Sequence, residues 1–405
     1  MQASLESIPS SAQRVFVAYS GGLDSSVLLH LLISEARDYQ ILPWHVNHGL
    51  VEVAAQMEKF CIEQAKRLGL EIRIDRLDLT DIESNVEAEA RRQRYRLFRQ
   101  YSRHGDCILT AHHADDQAET FLMNALRGSG VAGLRGIARE RRLGAALLLR
   151  PLLGCSRTEL EDYAARHEIS WFNDPSNQSL RYDRNYLRHE VVPLLKRRWP
   201  GMVTALTTSS EIQAETRDLL DEVAAADYRA LRTEASNGID TLDLPGLMVL
   251  SSPRRKNLVR YWVTQAGFAA LPHARLQELL QQLHARADSQ PEIAMSDCSI
   301  RVYDQRLFLV AGEDRPDIGG EFEFGQIAQI EIEAIGLRLD REEIFDRLGI
   351  DDRGQSLSLR FRRSGEPNSD RHRLKRLFQK YNVPPWQRDR VAQVYLDGNL
   401  EGLLR

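Results

Sequence analysis

The stretch VFVAYSGGLDSSVLLHLL, residues 15–32, constrains the fold most: β-branched and aromatic residues end in a Ser-Gly-Gly turn, followed by leucine and valine at helical spacing. The pattern then repeats. RVFVAYS, YQILPWHVNH, LEIRIDRLDL and DCILTAHH predict strands, and SSVLLHLLISEA, AAQMEKFCIEQAKRLG, VEAEARRQRYRLFRQYSRHG and DDQAETFLMNALRG predict the helices between them. Strands alternating with helices of this length require βαβ crossovers, so the expected fold class is α/β with a doubly wound, mainly parallel sheet. Ligands of such sheets bind beyond the C-terminal strand ends, which selects residues 20–26, 45–49 and 112–119.

The pattern changes at Pro200-Gly201. Residues 203–236 and 254–287 read as helices, CSIRVYDQRLFLVAG as a strand hairpin, EDRPDIGGEFEFG as a loop, and IAQIEIEAIGLRL and SLSLRFRRSGE as further strands. A basic helix, DRHRLKRLFQKYN, is stopped by Pro384-Pro385. At roughly 150 residues per domain, a 405-residue chain holds two or three. The reading divides it into an α/β domain (1–202), a mainly helical middle domain (203–345) and a small α+β C-terminal domain (346–405).

No apolar run approaches the ~20 residues that span a bilayer, and MQASLESIPSSAQR has no signal-peptide pattern, so a cytoplasmic protein without membrane contact is expected. Cys61, Cys107, Cys155 and Cys298 are isolated, which excludes a disulfide scaffold, a zinc ribbon or an iron–sulfur cluster. With a net charge of −4, a nucleic-acid partner would have to be held by local basic patches around residues 91–103, 181–198 and 371–376; a solvated helix face is the plain alternative for each.

Gly21 and Gly22 let the backbone approach a ligand closely, and the helix that follows offers unpaired N–H groups to an anion. Ser20, Ser25 and Ser26 add hydroxyls, and Asp24 is placed to hold Mg²⁺. Neither GxxxxGK[ST] nor GxGxxG occurs at residues 20–26; the alternative is a glycine turn feeding a capped helix. Asp115, Asp116 and Glu119 fall on one helix face, where they could hold an ammonium and accept its proton, or bind Mg²⁺ through Asp116; the competing reading is an N-cap box with Asp116 capping and Glu119 answering. His112 and His113 line the same rim without a third zinc ligand. Arg91 and Arg94, three apart, and Arg127 beside Gly128 and Gly130, suit phosphate or developing charge. Asp174 also reads as a turn cap before Pro175. Arg371, Lys375 and Arg376 interleave with Leu374, Leu377 and Phe378, so one face can pack while the other follows RNA phosphates.

SGGLDS resembles the signature of the PP-loop ATP pyrophosphatases, which split ATP between the α and β phosphates. HVNHGL, EAEARRQRY, TAHHADDQAETFLMNALRGSGVAGLRGI, RPLL, WFNDPSNQSLRYDRNYLRHEVVPLL and LKRLFQKYNVPPWQRDR resemble, in order, the blocks of the tRNA(Ile)-lysidine synthetase family. The resemblance implies a two-step reaction: ATP·Mg²⁺ adenylates C2–O of the wobble cytidine in the CAU anticodon of a minor isoleucine tRNA, releasing pyrophosphate. The ε-amine of free L-lysine then attacks C2 and expels AMP, so that the tRNA reads AUA rather than AUG and changes identity from methionine to isoleucine. It assigns ATP binding to Ser20, Gly21, Gly22, Leu23, Asp24, Ser25, Ser26 and the backbone near His45, and catalysis to Asp24, Asp115, Asp116, Glu119, Arg91 and Arg94. Metal binding falls to Asp24 and Asp116, the anticodon loop to Arg127, Asp174, Asn177, Arg184, Asn185 and Arg188, and the acceptor stem to Arg371, Lys375 and Arg376. A homodimer is compatible with this reading. The rivals are a PP-loop tRNA thiolation enzyme, which needs a reactive cysteine, and a non-catalytic tRNA-binding protein.

Overall fold

The computed structural model describes residues 2–35, 38–49, 52–78, 86–234, 240–285, 292–312, 320–324, 329–332, 337–361 and 371–404. They form two compact units, Met1–Leu219 and Leu220–Arg405.

The first unit is built on a six-stranded sheet in the order β3-β2-β1-β4-β6-β5. Its strands are β1 (Arg14–Ala18), β2 (Gln40–Asn47), β3 (Arg73–Arg76), β4 (Cys107–Leu109), β5 (Glu140–Leu143) and β6 (Ala146–Leu149). All neighbours run parallel except β5, which turns back against β6. The expected alternation thus gives the parallel sheet, whereas the β5–β6 hairpin was not anticipated, because the charged run of ARERRL masks any strand period.

The helices of this unit are α1 (Leu23–Ser34), α2 (Glu52–Arg67), α3 (Val86–Tyr101), α4 (Ala114–Leu126), α5 (Val131–Leu134), α6 (Arg157–Arg166), α7 (Asp183–Tyr186) and α8 (Val192–Arg198). Helix α6 was not foreseen either; Ser156 starts it by accepting from the Glu159 N–H while the Glu159 carboxylate accepts from the Ser156 N–H. On one sheet face, Val27, Leu28 and Leu32 of α1 pack with Cys61 of α2 and Leu160 of α6 over Val15 and Val17; on the other, Phe98 and Tyr95 of α3 cover Phe16, Trp44 and Ile108. Period-2 strand faces and period-3.6 helix stripes thereby find partners on both sides, as buried parallel strands require.

The long helix α9 (Met202–Leu231) spans the junction of the units. The second unit holds α10 (Leu244–Val249), α11 (Ser252–Gln265) and α12 (His273–Ala285), packed against an antiparallel sheet of β7 (Arg232–Glu234), β8 (Asp240–Asp243), β11 (Arg306–Ala311), β10 (Cys298–Tyr303) and β9 (Glu292–Ala294). The helix expected over 254–287 is thus two helices, broken where Gly267 takes φ +87° ahead of Leu271-Pro272. The expected hairpin is β10–β11, closed by Asp304 and Gln305, both at positive φ as a type I′ turn requires.

A four-stranded sheet follows, in the order β12 (Gly320–Glu323), β15 (Leu357–Phe361), β16 (Ala392–Leu396), β17 (Asn399–Leu404). The pair β13 (Gln329–Ile332) and β14 (Leu337–Asp340) forms a separate ribbon that leads into α13 (Arg341–Leu348). Strand β12 corrects the expectation of a loop over EDRPDIGGEFEFG, whose first part lies outside the described residues. Helix α14 (Arg371–Lys380) packs Leu374 and Phe378 against Val391, Tyr395 and Leu400. No helix among the described residues is long and apolar enough to cross a membrane.

Candidate active site

The β1–α1 turn is self-supporting. Gly21 takes φ +82°, and a Cβ there would stand 2.8 Å from Cys61 Sγ, so both conformation and space demand glycine. Gly22, in extended conformation, caps α1. Ser20 Oγ accepts from the Gly22 N–H at 3.3 Å and lies 3.1 Å from Ser25 Oγ, which donates to Gly22 O at 3.1 Å; Ser26 Oγ donates to Gly21 O at 3.4 Å. The hydroxyls therefore shape the loop from within, and the buried Leu23 side chain leaves only its backbone N–H to face a ligand. The result is a preformed concavity with a helix N-terminus behind it. Asp24, one residue into α1, accepts from Arg157 Nη1 at 2.8 Å and lies 3.8 Å from His113 Nε2. Burial raises its pKa, and the partial compensation by His113 and Arg157 does not undo this.

At the exit of the neighbouring strand β4, α4 presents the carboxylates in two groups. His113, not Asp116, is its N-cap, and the Asp116 carboxylate answers by accepting from the His113 N–H at 3.0 Å. The capping box thus lies one turn earlier than the Asp116/Glu119 box read from sequence, since His113 already has the extended conformation a cap needs. Asp116 accepts from Arg184 Nη2 at 2.8 Å and Arg188 Nη2 at 2.9 Å; Glu119 accepts from Arg184 Nε at 3.0 Å and Arg188 Nε at 2.7 Å. Burial opposes ionisation of Asp116, but His113, Arg184 and Arg188 hold it at about 2. Burial likewise opposes the charge on Arg188, and Glu119 and Asp116 still raise its pKa.

Asp115 turns elsewhere. It accepts from Lys196 Nζ at 2.5 Å and from the Arg157 N–H at 2.8 Å, and its pKa is lowered by these contacts against the effect of burial. His113 stands among the groups, with Nε2 3.5 Å from Asp116 and Nδ1 3.8 Å from Asp115; that Nδ1 is buried without a hydrogen-bond partner. Asp24, Asp115, Asp116 and Glu119 thus face four cations: Arg157, Lys196, Arg184 and Arg188.

Beside the loop, a cleft of about 200 Å³ opens between the ends of β1 and β2, lined by Tyr19, Ser20, Asn47, His48, Arg94 and Asp174 among others. His45 lies within β2 rather than after it; its buried Nδ1 is 2.9 Å from Tyr19 O, which ties the two strands together. Burial, with Arg94 nearby, pushes the His48 pKa down to about 4, so His48 is neutral at pH 7.

The remaining expected residues scatter. Arg91 stacks on the Tyr95 ring. Arg127 pairs with Asp183 at 3.5 Å on the surface, and Asn185 Nδ2 donates to Ser179 O at 3.0 Å. The side chains of Asn177 and Arg371 lie outside the described residues, while Lys375 and Arg376 are exposed on α14. Arg157, not anticipated at all, touches both Asp24 and Asp115, and Lys196 was read only as part of a basic patch. The Ser156/Glu159 capping box is the one local signal that could have placed Arg157 at a helix start.

Three family profiles match the chain: a PP-loop domain over residues 1–195, a TilS substrate binding domain over 242–308 and a TilS substrate C-terminal domain over 357–401. Curated relatives match over nearly all of it. A tRNA(Ile)-lysidine synthase of Serratia proteamaculans is 36% identical, covering 96% of this chain and 90% of its own. One of Alkalilimnicola ehrlichii is 39% identical over 93% and 85%, and one of Coxiella burnetii 34% over 95% and 87%.

Proposed function

Because this chain belongs to the tRNA(Ile)-lysidine synthase family, we propose that it joins free L-lysine to C2 of the wobble cytidine in a CAU anticodon, at the expense of ATP split to AMP and pyrophosphate. The observation that carries the reading is the adjacency of the self-supporting loop at β1 to a charge-balanced carboxylate cluster at β4, with Arg157 bonded to both.

In this reading the amides at residues 21–24 cradle the β and γ phosphates, with the cleft between β1 and β2 taking the adenosine. Asp24 and Asp116 would hold Mg²⁺. Among the described residues no three His, Cys, Asp or Glu converge as a cage, and Mg²⁺ fits such a place because it uses one or two carboxylates together with substrate phosphates. Bound there, the ion would neutralise charge on the phosphates as pyrophosphate leaves. Arg94, at the cleft, is placed to face the α phosphate.

For the second step, Asp115 is the group suited to the lysine ε-ammonium. It already binds an ammonium, that of the half-exposed Lys196, which can exchange with solvent, whereas Glu119 is 2% exposed and held by two guanidiniums and Asp116 is taken by the metal in this reading. The ammonium first passes a proton to the carboxylate beside it, which frees the lone pair that attacks C2. As the N–C bond forms, the nitrogen becomes acidic and its second proton leaves to solvent while the C–O bond to AMP breaks. Arg371, Lys375 and Arg376 on α14 would grip the acceptor stem, and the surface near Arg127, Asp174 and Asn177 the anticodon loop.

A sulfur-transfer role has little support: all four cysteines are buried, and burial pushes the thiols of Cys61, Cys107 and Cys298 up to about 12, 11 and 11. The test is single-turnover chemistry with tRNA. Wild type should release pyrophosphate and, only with lysine present, AMP and lysidine; Asp115→Asn should keep pyrophosphate release within about threefold and lose lysidine formation by about 10²-fold or more. Equal loss of both steps would refute the role of Asp115, and lysine-independent AMP release by wild type would refute the reading itself.

A further inference from the structure

A third charged group lies beyond the loop and the carboxylates. Tyr95 of α3 is buried, and its ring is faced by Arg91 at 5.1 Å and Arg141 at 4.7 Å, guanidinium carbon to centroid, with Arg94 at 6.0 Å. Arg150, at the exit of β6, is only 5% exposed. Its Nη1 donates to Ala138 O at 2.5 Å and its guanidinium faces the Tyr95 hydroxyl, yet its Nε and that hydroxyl are both buried and neither completes a hydrogen bond of normal geometry. Among the described residues, none of Arg91, Arg141 and Arg150 meets a carboxylate. Buried polar atoms and clustered cations without a counter-ion are costly, so a fold that keeps them together has an anion to satisfy.

The electrostatics agree. Burial alone would raise the pKa of Tyr95, yet Arg91, Arg150 and Arg94 bring it below its usual value. Burial, reinforced by Arg150 and Arg91 against the opposing Asp116, pushes His112 down to about 3, so a neutral His112 separates the carboxylates from the arginines.

Topology says which anion. Across the sheet the loop follows β1, the carboxylates β4 and Arg150 β6, while β5 runs back so that Arg141 sits opposite Leu148. At ~4.8 Å per strand, the arginines lie about 10 Å from the loop, with the carboxylates between. The triphosphate belongs on the β1 side. With a cytidine at the carboxylates, the anion that continues past it is its own RNA strand, and the exposed Arg91 and Arg141 leave the cluster open to a chain passing over it. Three guanidiniums also exceed what a single amino-acid carboxylate needs.

We infer that Arg91, Arg141, Arg150 and Tyr95 form an anion site for a phosphodiester of the RNA strand next to the modified cytidine. The inference rests on the lysidine-forming reading and adds to it the means by which the target base is held in register: a backbone contact positions, while the base edge is read elsewhere.

Arg141→Ala tests it, since Arg141 is exposed and its loss leaves the core unchanged. Binding of a stem-loop RNA with a CAU loop should weaken about tenfold, and the slope of log affinity against log salt should fall by about 0.7. ATP affinity and the KM for lysine should stay the same. In wild type, one methylphosphonate in the loop should reproduce the loss and add nothing further in Arg141→Ala. If the variant binds the stem-loop as wild type does, or if ATP affinity or the KM for lysine moves instead, the site is not a phosphodiester site. If wild type itself neither binds nor modifies the full-length tRNA with a CAU anticodon, the lysidine-forming reading falls and takes this inference with it.

Discussion

The phosphate loop and the carboxylate cluster face the same ligand-binding edge of one sheet but are held together in opposite ways. The loop closes largely on itself: the hydroxyls of Ser20, Ser25 and Ser26 hydrogen-bond to partners within five positions, while from outside Cys61 and Phe60 pack on Gly21 and the Phe172 N–H donates to Gly21 O at 2.9 Å. The cluster is satisfied from afar, by Arg157, Arg184, Arg188 and Lys196, residues 42 to 133 positions distant from the carboxylates they meet. A site closed by local bonds is rigid before substrate arrives. One closed by distant ion pairs can be rearranged by exchanging a partner, which suits a centre that must admit an ammonium between two steps.

The sharpest break of this comparison is Gly21→Ala. It forces an alanine into φ +82° and its methyl to 2.8 Å from Cys61 Sγ, so pyrophosphate release should fall roughly 10²–10³-fold, while the melting temperature falls by only a few degrees and the fold is kept. A loop that tolerated alanine at full rate would not be preformed in the sense argued.

Arg188→Ala probes the other side. Removing it leaves Glu119, 2% exposed, and Asp116 short of one guanidinium, for a loss of about 3 kcal/mol in urea unfolding after allowance for the partial exposure of Arg188. Arg188→Lys should recover only part, because an ammonium cannot bridge both carboxylates as the fork does. A loss below about 0.5 kcal/mol would mean that the cluster is not held by its distant partners.

The smallest effect is on acid stability. The pKa of Asp116 in the fold, about 2, lies below the ~3.9 of an unfolded aspartate, so its contribution is present in full above pH ~4 and is lost as pH falls through 4 towards 2. At about 1.4 kcal/mol per pKa unit, that is of order 2 kcal/mol. Unfolding of wild type and Asp116→Asn, followed between pH 5 and 2, should show a shallower pH dependence in the variant; parallel curves would deny the shift. No matching loss is expected from the loop, whose hydroxyls do not titrate.

Legibility followed the same divide. The strand–turn–helix over 15–32 could be read because each of its determinants is local: branched residues for the strand, glycines for the turn, leucines at helical spacing for α1. The carboxylates could be read as a cluster for the same reason, since residues 115, 116 and 119 share a helix. Their assortment could not. Nothing in DDQAE tells that Asp115 turns to Lys196 while Asp116 and Glu119 turn to Arg184 and Arg188. The resemblance assigns those arginines to RNA, gives Arg150 only as the first residue of RPLL with no role, and does not touch Arg157.

The sequence by itself determined the alternation of β1 to β4 with α1 to α4, the glycine loop and the presence of charged groups at the strand exits, because hydrophobic period and turn chemistry act within a few residues. Tertiary structure alone decided which charges meet. It brought Arg157, Arg184, Arg188 and Lys196 onto four carboxylates, and gathered Arg91, Arg141 and Arg150 around Tyr95, where none of them meets a carboxylate among the described residues. Ion pairing depends on distance and burial, and neither exists until the sheet has set its strands side by side.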